Sequence, residues 1–321
     1  MQSSLTKSTS SFLTSSRRHF SRTSSSFSSR HKQQQQQHKR KSSFVTKAGA
    51  EEEELMQKLM AMIGGGAPAG RPPKGQMIAK ESAIKGRDSE MRVTEEHYVL
   101  KGNSIKSFPS NVKTCVFATG CFWGTEKMFW RLPGVYSTSV GYVGGYTKNP
   151  TYEEVCSGMT GHTEAVQVAY DPTVISFADL LAMYFTNHDP TQGMRQGNDA
   201  GTQYRSGVYC KDKEQYDMTL SAKKAYQEAL GSTRGEITSE IPEDFNMPYY
   251  FAEDYHQQYL AKPGSRPYCS AQPTGTAMPE TWLKENGAKL SGSFWNTYGP
   301  RPGCTIGVPN EPIPLETALK A

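Results

Sequence analysis

The sequence predicts an α+β fold: a ferredoxin-like sandwich, one sheet with helices packed on one face, followed by a long irregular C-terminal extension. Two observations carry this prediction. Between residues 112 and 241, strand-like alternation and helix-like spacing follow one another in the order β-α-β-β-α-β, with one extra helix and one extra strand. Beyond Lys262 the regular patterns stop, and Pro and Gly accumulate among scattered aromatics (Trp282, Phe294, Trp295, Tyr298).

A chain of 321 residues can hold one large domain or two small ones, but its first fifty residues fit neither. They carry ten Lys or Arg and no Asp or Glu, are dominated by serine, and include the run Gln33 to Gln37. Arg-rich, Ser-rich and acid-free is the composition of a mitochondrial or plastid transit peptide, so residues 1–50 are read as a disordered leader. Arg18-His19-Phe20-Ser21 suits mitochondrial processing and Val45-Thr46-Lys47-Ala48 a plastid site. An organelle matrix is expected, with chloroplast stroma and mitochondrial matrix both open. No apolar run approaches the roughly 20 residues that span a bilayer. The formal charge of +5 includes +10 from the leader, so residues 51–321 carry −5. That mildly acidic remainder lacks the strongly basic footprint of nucleic-acid binding.

Residues 51–75 read as a linker: one short amphipathic helix behind four glutamates, ended by Gly64-Gly65-Gly66 and by Pro68, Pro72 and Pro73. The folded domain is assigned to 76–262. Its first strand is 112–119 and its first helix 125–132, closed by Pro133-Gly134. A strand at 135–143 and a helical turn at 153–156 follow, then an alternating strand at 163–170. Ser176 is a good N-cap for a buried helix at 177–186. A polar loop, 188–202, leads to a strand at 204–210, a long amphipathic helix at 213–230, a last strand at 237–241 and a turn at 255–260. The extension is 263–321.

Six cysteines are present: Cys115, Cys121, Cys156, Cys210, Cys269 and Cys304. They form no CxxC pair and have no histidine at metal-finger spacing, so no metal is expected. Cys115 and Cys210 within apolar strands, and Cys156 in a helical turn, read as packing residues. Cys269 and Cys304 lie in the Pro/Gly-rich tail, where a thiol can travel to a partner. Cys121 differs from all of these. Gly120-Cys121-Phe122-Trp123-Gly124 spans a strand-to-helix turn, where free N–H groups and the helix dipole favour a thiolate beside an apolar wall. Four groups qualify as partners for this cysteine. Glu164 opens a strand, where a desolvated carboxyl can act as a general acid. Tyr152 and Tyr204 offer phenolic donors, and Asp199 lies in a loop long enough to line a site. Each of the four also has a plain packing or turn-forming reading.

In combination these segments are specific. GCFWG, GGYTKNPTYEEVCSGMTGHTE, NHDPTQGMRQGNDAGTQYRS and AEDYHQQYL occur in that order. From about Ile84 to about Cys269 the chain closely resembles the peptide methionine sulfoxide reductase A family. The resemblance implies a ferredoxin-like core and reduction of methionine S-sulfoxide, free or in proteins, as protein repair under oxidative stress. It implies Cys121 as nucleophile, Phe122 and Trp123 as the pocket for the substrate methyl group, and Glu164 as the acid, with Tyr152, Tyr204 and Asp199 in its polar network. Cys269, after Tyr268, matches the family's resolving cysteine. Many members carry a further cysteine within about ten residues, whereas here Cys304 follows a long insertion. Cys304 is therefore expected as the recycling cysteine, with a one-resolver scheme as the alternative. No bound cofactor is implied; thioredoxin, or dithiothreitol in vitro, supplies electrons, and a monomer is expected.

Two other readings make different demands. A Cys-His hydrolase needs His162, His188 or His256 beside Cys121. A peptide-binding module built on Phe122 and Trp123 needs no thiol chemistry.

Overall fold

Strand β1 (Lys113–Thr119) pairs antiparallel with β3 (Thr163–Tyr170) on one side and with β6 (Ser206–Tyr209) on the other. Strand β2 (Val135–Val143) pairs antiparallel with β3, and β7 (Tyr250–Phe251) adds an edge to β2. The sheet order β6-β1-β3-β2-β7 is the ferredoxin-like arrangement with one extra edge strand. This computed structural model describes residues 73–299, 301 and 307–319. The sequence-assigned leader 1–50, nearly all of the linker 51–75, and Cys304 lie outside the described residues.

Helices α1 (Phe122–Trp130), α3 (Phe177–Thr186) and α4 (Lys213–Leu230) follow β1, β3 and β6; α2 (Tyr152–Cys156) is a short turn before β3. Alternation along the strands explains how two faces are buried. Cys115, Phe117, Val166 and Val168 join the core shared with the helices, where Phe117 stacks on Phe129 at 4.7 Å. Val116, Ala118, Ala165 and Tyr209 point the other way, beneath Met247 and Tyr249. Both helix starts carry capping boxes: Thr151 with Glu154, and Ser176 with Asp179.

Several elements differ from the sequence reading. Helix α1 begins at Phe122 rather than 125, because Gly120 at φ +99° turns the chain directly into it and leaves Cys121 as the N-cap. The strand expected at 237–241 is reduced to one parallel bridge, Gly207 to Glu240. Pro242 has no N–H with which to continue a ladder, and the chain leaves the edge there. The strand expected from 204 starts at Ser206, since Thr202–Tyr204 forms a 3-10 turn. Two short strands, β4 (Arg195–Gln196) and β5 (Asp199–Ala200), make a hairpin inside the polar loop.

The extension is more regular than its composition suggests. Short helices α5 (Glu280–Glu285), α6 (Gly292–Tyr298) and α7 (Leu315–Leu319) deliver Trp282, Leu283, Phe294, Trp295 and Ala318 to the main core. It also grips α1: Lys127 Nζ donates to the Val308 carbonyl and Trp130 Nε1 to the Asn310 carbonyl, each at 2.8 Å. Among the described residues no helix is long and apolar enough to cross a membrane.

Candidate active site

The start of a helix leaves several N–H groups without intrahelical partners. At α1 one of them, the Phe122 N–H, donates to Glu164 Oε2 at 3.0 Å. The Cys121 side chain makes no capping hydrogen bond, and the nearby Trp123 and Gly124 amides act on it by lowering its pKa. The nucleophile candidate and the acid candidate thus meet at one turn. Glu164 reaches this point because it is the second residue of β3, paired across from Tyr142 of β2, and is 1 % exposed.

Burial dominates the ionisation of both groups. It pushes the Glu164 carboxyl up to about 8 against the pull of the Phe122 N–H, with Asp199 adding to the rise. Glu164 therefore holds its proton at neutral pH. The Cys121 thiol is pushed well above its ordinary value by burial and then by Glu164; the Trp123 and Gly124 amides oppose this. That corrects the sequence expectation of a helix-stabilised thiolate: the amides act as expected, but desolvation outweighs them. The resting site holds a thiol and a protonated carboxyl.

The polar side of the site is built around Glu164. Tyr152 and Tyr204, both half-buried, lie in its field, and burial drives both phenols to higher pKa, so they stay hydrogen-bond donors. Asp199, on β5, faces Cys121, Glu164 and Tyr204 and accepts a hydrogen bond from the Tyr268 hydroxyl. The structure thus brings together Cys121, Glu164, Tyr152, Tyr204 and Asp199 from five separate segments.

Aromatic rings form the other side. Phe122 is buried, and Trp123 stacks on Tyr259 at 4.0 Å with Tyr268 edge-on at 6.4 Å. Behind them stands a group the sequence did not single out for this purpose. His256 accepts the Trp123 indole N–H on Nδ1 at 3.0 Å and lies 5.1 Å from Phe122 and 4.6 Å from Tyr152, ring centre to ring centre. Burial pushes His256 down to about 4, which keeps Nδ1 free to accept. Glu253 ties the neighbourhood together, accepting from the Tyr142 hydroxyl at 2.9 Å and the Tyr152 N–H at 2.8 Å. The signal available in the sequence was the AEDYHQQYL segment, whose spacing alone does not say which side chains turn inward.

The cysteines sort by place. Cys115 and Cys210 are buried across the β1–β6 pair. Cys156, read from sequence as packing, is half-buried and sits against the Tyr152 phenol at the edge of the site. Cys121, Cys115, Cys156 and Cys210 are free, and Cys269 is disulfide-bonded. Cys121 and Cys269, with Ser270 and Ala271, line one small cavity beside Thr125 and Met128. The histidines that a hydrolase would need are engaged elsewhere: His162 between the Gly145 N–H and the Thr147 carbonyl, His188 on the Tyr184 carbonyl, His256 on Trp123. No group of three or more His, Cys, Asp or Glu among the described residues could hold a metal.

Residues 113–285 match the family model described as peptide methionine sulfoxide reductase. The chain belongs to this family. It is accordingly an enzyme, a peptide-methionine (S)-S-oxide reductase. Among curated relatives, peptide methionine sulfoxide reductase MsrA 1 of Synechocystis is 52% identical over 211 residues, covering 64% of this chain and 92% of the relative. The mitochondrial peptide methionine sulfoxide reductase of Rattus norvegicus is 49% identical over 205 residues, covering 64% and 87%. The solved structure of methionine sulfoxide reductase A from Corynebacterium diphtheriae matches with a TM-score of 0.57 and 41% identity, covering 64% of this chain and all of that one. The family match thus covers the sheet and the candidate site, and ends within the extension at residue 285.

Proposed function

We propose that this reductase acts on methionine S-sulfoxide, free and within oxidised proteins, through a sulfenic acid on Cys121 and a disulfide relay that ends on thioredoxin. The observation that carries this reading is the shared turn at the start of α1, where the Cys121 thiol sits beside a protonated Glu164 carboxyl held by the Phe122 N–H.

A sulfoxide oxygen leaves only when protonated. The substrate methyl group packs on Phe122 and Trp123, and its oxygen lies towards Glu164, Tyr152 and Tyr204. The Cys121 sulfur attacks the sulfoxide sulfur as Glu164 gives its proton to the oxygen; the carboxylate then takes up the thiol proton and ends as it began. As the intermediate collapses, the protonated oxygen passes from the methionine sulfur to the Cys121 sulfur and the transient S–S bond breaks. The sulfoxide S–O bond is lost and a cysteine S–O bond is made, so methionine is reduced and the cysteine is oxidised to a sulfenic acid. The Cys269 thiol displaces that hydroxyl as water and forms a Cys121–Cys269 disulfide. A further thiol, assigned from sequence order to Cys304, attacks Cys269 and frees Cys121, and thioredoxin or dithiothreitol reduces the resulting bond. A free Cys121 beside a disulfide-bonded Cys269 supports this order of events. No bound cofactor enters the scheme.

The Ser- and Arg-rich leader supports import into an organelle matrix, chloroplast or mitochondrion, and the rat relative is mitochondrial by name. The acidic folded part supports partners that are neither nucleic acid nor membrane, and a monomer is the working unit.

Mass mapping of disulfides after one turnover tests the relay. A Cys121–Cys269 bond should form first and pass to Cys304. Cys269→Ser should release about one methionine per enzyme and then stop under thioredoxin. A Cys121–Cys269 bond that never moves would remove Cys304 from the scheme.

A further inference from the structure

The 268–272 segment of the tail does not lie loosely over the site; it is seated. Tyr268 donates to Asp199, and the Gln272 N–H donates to Gln196 Oε1 at 3.0 Å. Gln196 is fully buried on β4, and its amide makes two further bonds: Oε1 also accepts the Asp189 N–H at 3.2 Å, and Nε2 donates to the Asp189 carbonyl at 2.9 Å. Its stem lies flat on the turn that carries the nucleophile. A Cβ at Gly120, the residue before Cys121, would stand 2.6 Å from Gln196 Cβ and 3.0 Å from its Cγ. On the tail side, a Cβ at Gly197 would stand 2.4 Å from the Ser270 carbonyl oxygen. Both glycines have positive φ, +99° and +57°. The chain is therefore stacked in three layers, the Gly120–Cys121 turn, Gln196, and the tail just after Cys269, with side-chain-free backbone where the outer layers close on the hairpin.

We infer that Gln196 is a positioning residue for the resolving step: its side chain sets the spacing between the turn bearing Cys121 and the tail bearing Cys269. This rests on the reading of Cys269 as first resolver. A role confined to closing the hairpin would be complete with the two Asp189 bonds; it has no use for the N–H of Gln272, an exposed residue beyond the catalytic groups. Seating Gln272 leaves Cys269, three residues earlier, little freedom to leave the cavity it shares with Cys121. Disulfide formation gains from that restriction because two reacting sulfurs must meet in one geometry. Attack of Cys121 on the sulfoxide uses neither Gln196 nor the Gln272 N–H and gains nothing from their bond.

The test uses the full chain, fully reduced, mixed with one equivalent of a peptide methionine S-sulfoxide and no added reductant. Methionine release, the Cys121–Cys269 disulfide and the Cys121 sulfenic acid (trapped by a 1,3-dione) are followed in time. Gln196→Leu removes the acceptor; Gln272→Pro removes the donor together with the side chain that accepts from Gln192 Nε2 at 3.3 Å, and Gln272→Ala, which loses only that side-chain contact, is its control, so this pair still reports should Gln196→Leu not fold. Gln196→Leu and Gln272→Pro should release methionine at the wild-type rate while forming the disulfide about ten-fold more slowly, the effect of one lost hydrogen bond, so that dione adduct accumulates. Disulfide formation at the wild-type rate in the folded Gln196→Leu and Gln272→Pro variants would overturn the inference, as would an equal slowing of methionine release. If the wild-type chain itself forms no Cys121–Cys269 bond, the resolver reading falls and takes this one with it.

Discussion

Cys115 and Cys121 stand six residues apart on one strand-and-turn, both with thiols held well above their ordinary pKa by burial, yet only one sits in the candidate active site. Cys115 is inside β1, with Cys210 opposite and its sulfur 3.6 Å from the Tyr209 carbonyl. Every backbone amide near it is spent on the sheet. Cys121 stands where the sheet has ended and a helix has just begun, so unspent amides nearby lower its pKa and a protonated carboxyl lies alongside. The resting protonation of the two thiols does not separate them. In the proposed mechanism, what separates them is preorganised stabilisation of the charge that develops when the sulfur attacks.

The contrast is sharpest under matched substitutions. Cys121→Ser should lower sulfoxide reduction with dithiothreitol by about 10^4-fold or more, the scale on which losing a nucleophile acts. Cys115→Ser, assayed identically, should stay within a few-fold of wild type. Full activity in Cys121→Ser would refute the mechanism and favour a binding role.

Removing the acid tests the second half of the comparison. Glu164→Gln should slow single-turnover methionine release by about 10^2- to 10^4-fold. In the wild type, the acid's contribution should fade as pH rises through about 8, where Glu164 loses its proton, and Glu164→Gln should lack that limb. Stability follows the same sign. The folded value of about 8 lies above the ordinary 4.5, so Glu164 contributes fully below about 4.5 and its contribution is lost as pH rises through about 8. Chemical denaturation should therefore show Glu164→Gln gaining on wild type across that window; a constant difference would mean that Glu164 is not buried as described.

Smaller effects probe the walls. Trp123→Ala removes the stacked indole and should reduce kcat/KM for the S-sulfoxide by about 10- to 200-fold, the range for reshaping an apolar pocket. The smallest change is the stability cost of Cys115→Ser. It should destabilise by about 1–2 kcal/mol in a urea titration, since the Tyr209 carbonyl can accept from the new hydroxyl but the site is otherwise apolar.

The strands and helices with clear periodicity were legible: 135–143, 163–170, 177–186 and 213–230 fall at the observed ends. Legibility failed where one residue overrode a pattern. Gly120 starts α1 three residues early, Pro242 cancels the strand at 237–241, and β7 is too short to leave a pattern. Site candidates inside long motifs were nominated through those motifs, and the fold brings them together. His256, Glu253 and Gln196 were not assigned their places, because each acts through a partner more than seventy residues away.

The sequence by itself therefore determined the reductase family, the sheet order's raw material, and the residue types of the candidate site: a thiol, a carboxyl, two phenols and two aromatic walls. Those are local properties, written in composition and spacing. Only the tertiary structure decided their condition. Burial at the crossing of β3 and α1 keeps Glu164 protonated and Cys121 a thiol, and backbone approach at Gly120 and Gly197 fixes where the tail sits. Desolvation and close approach depend on what the rest of the chain brings alongside, and no single segment carries that information.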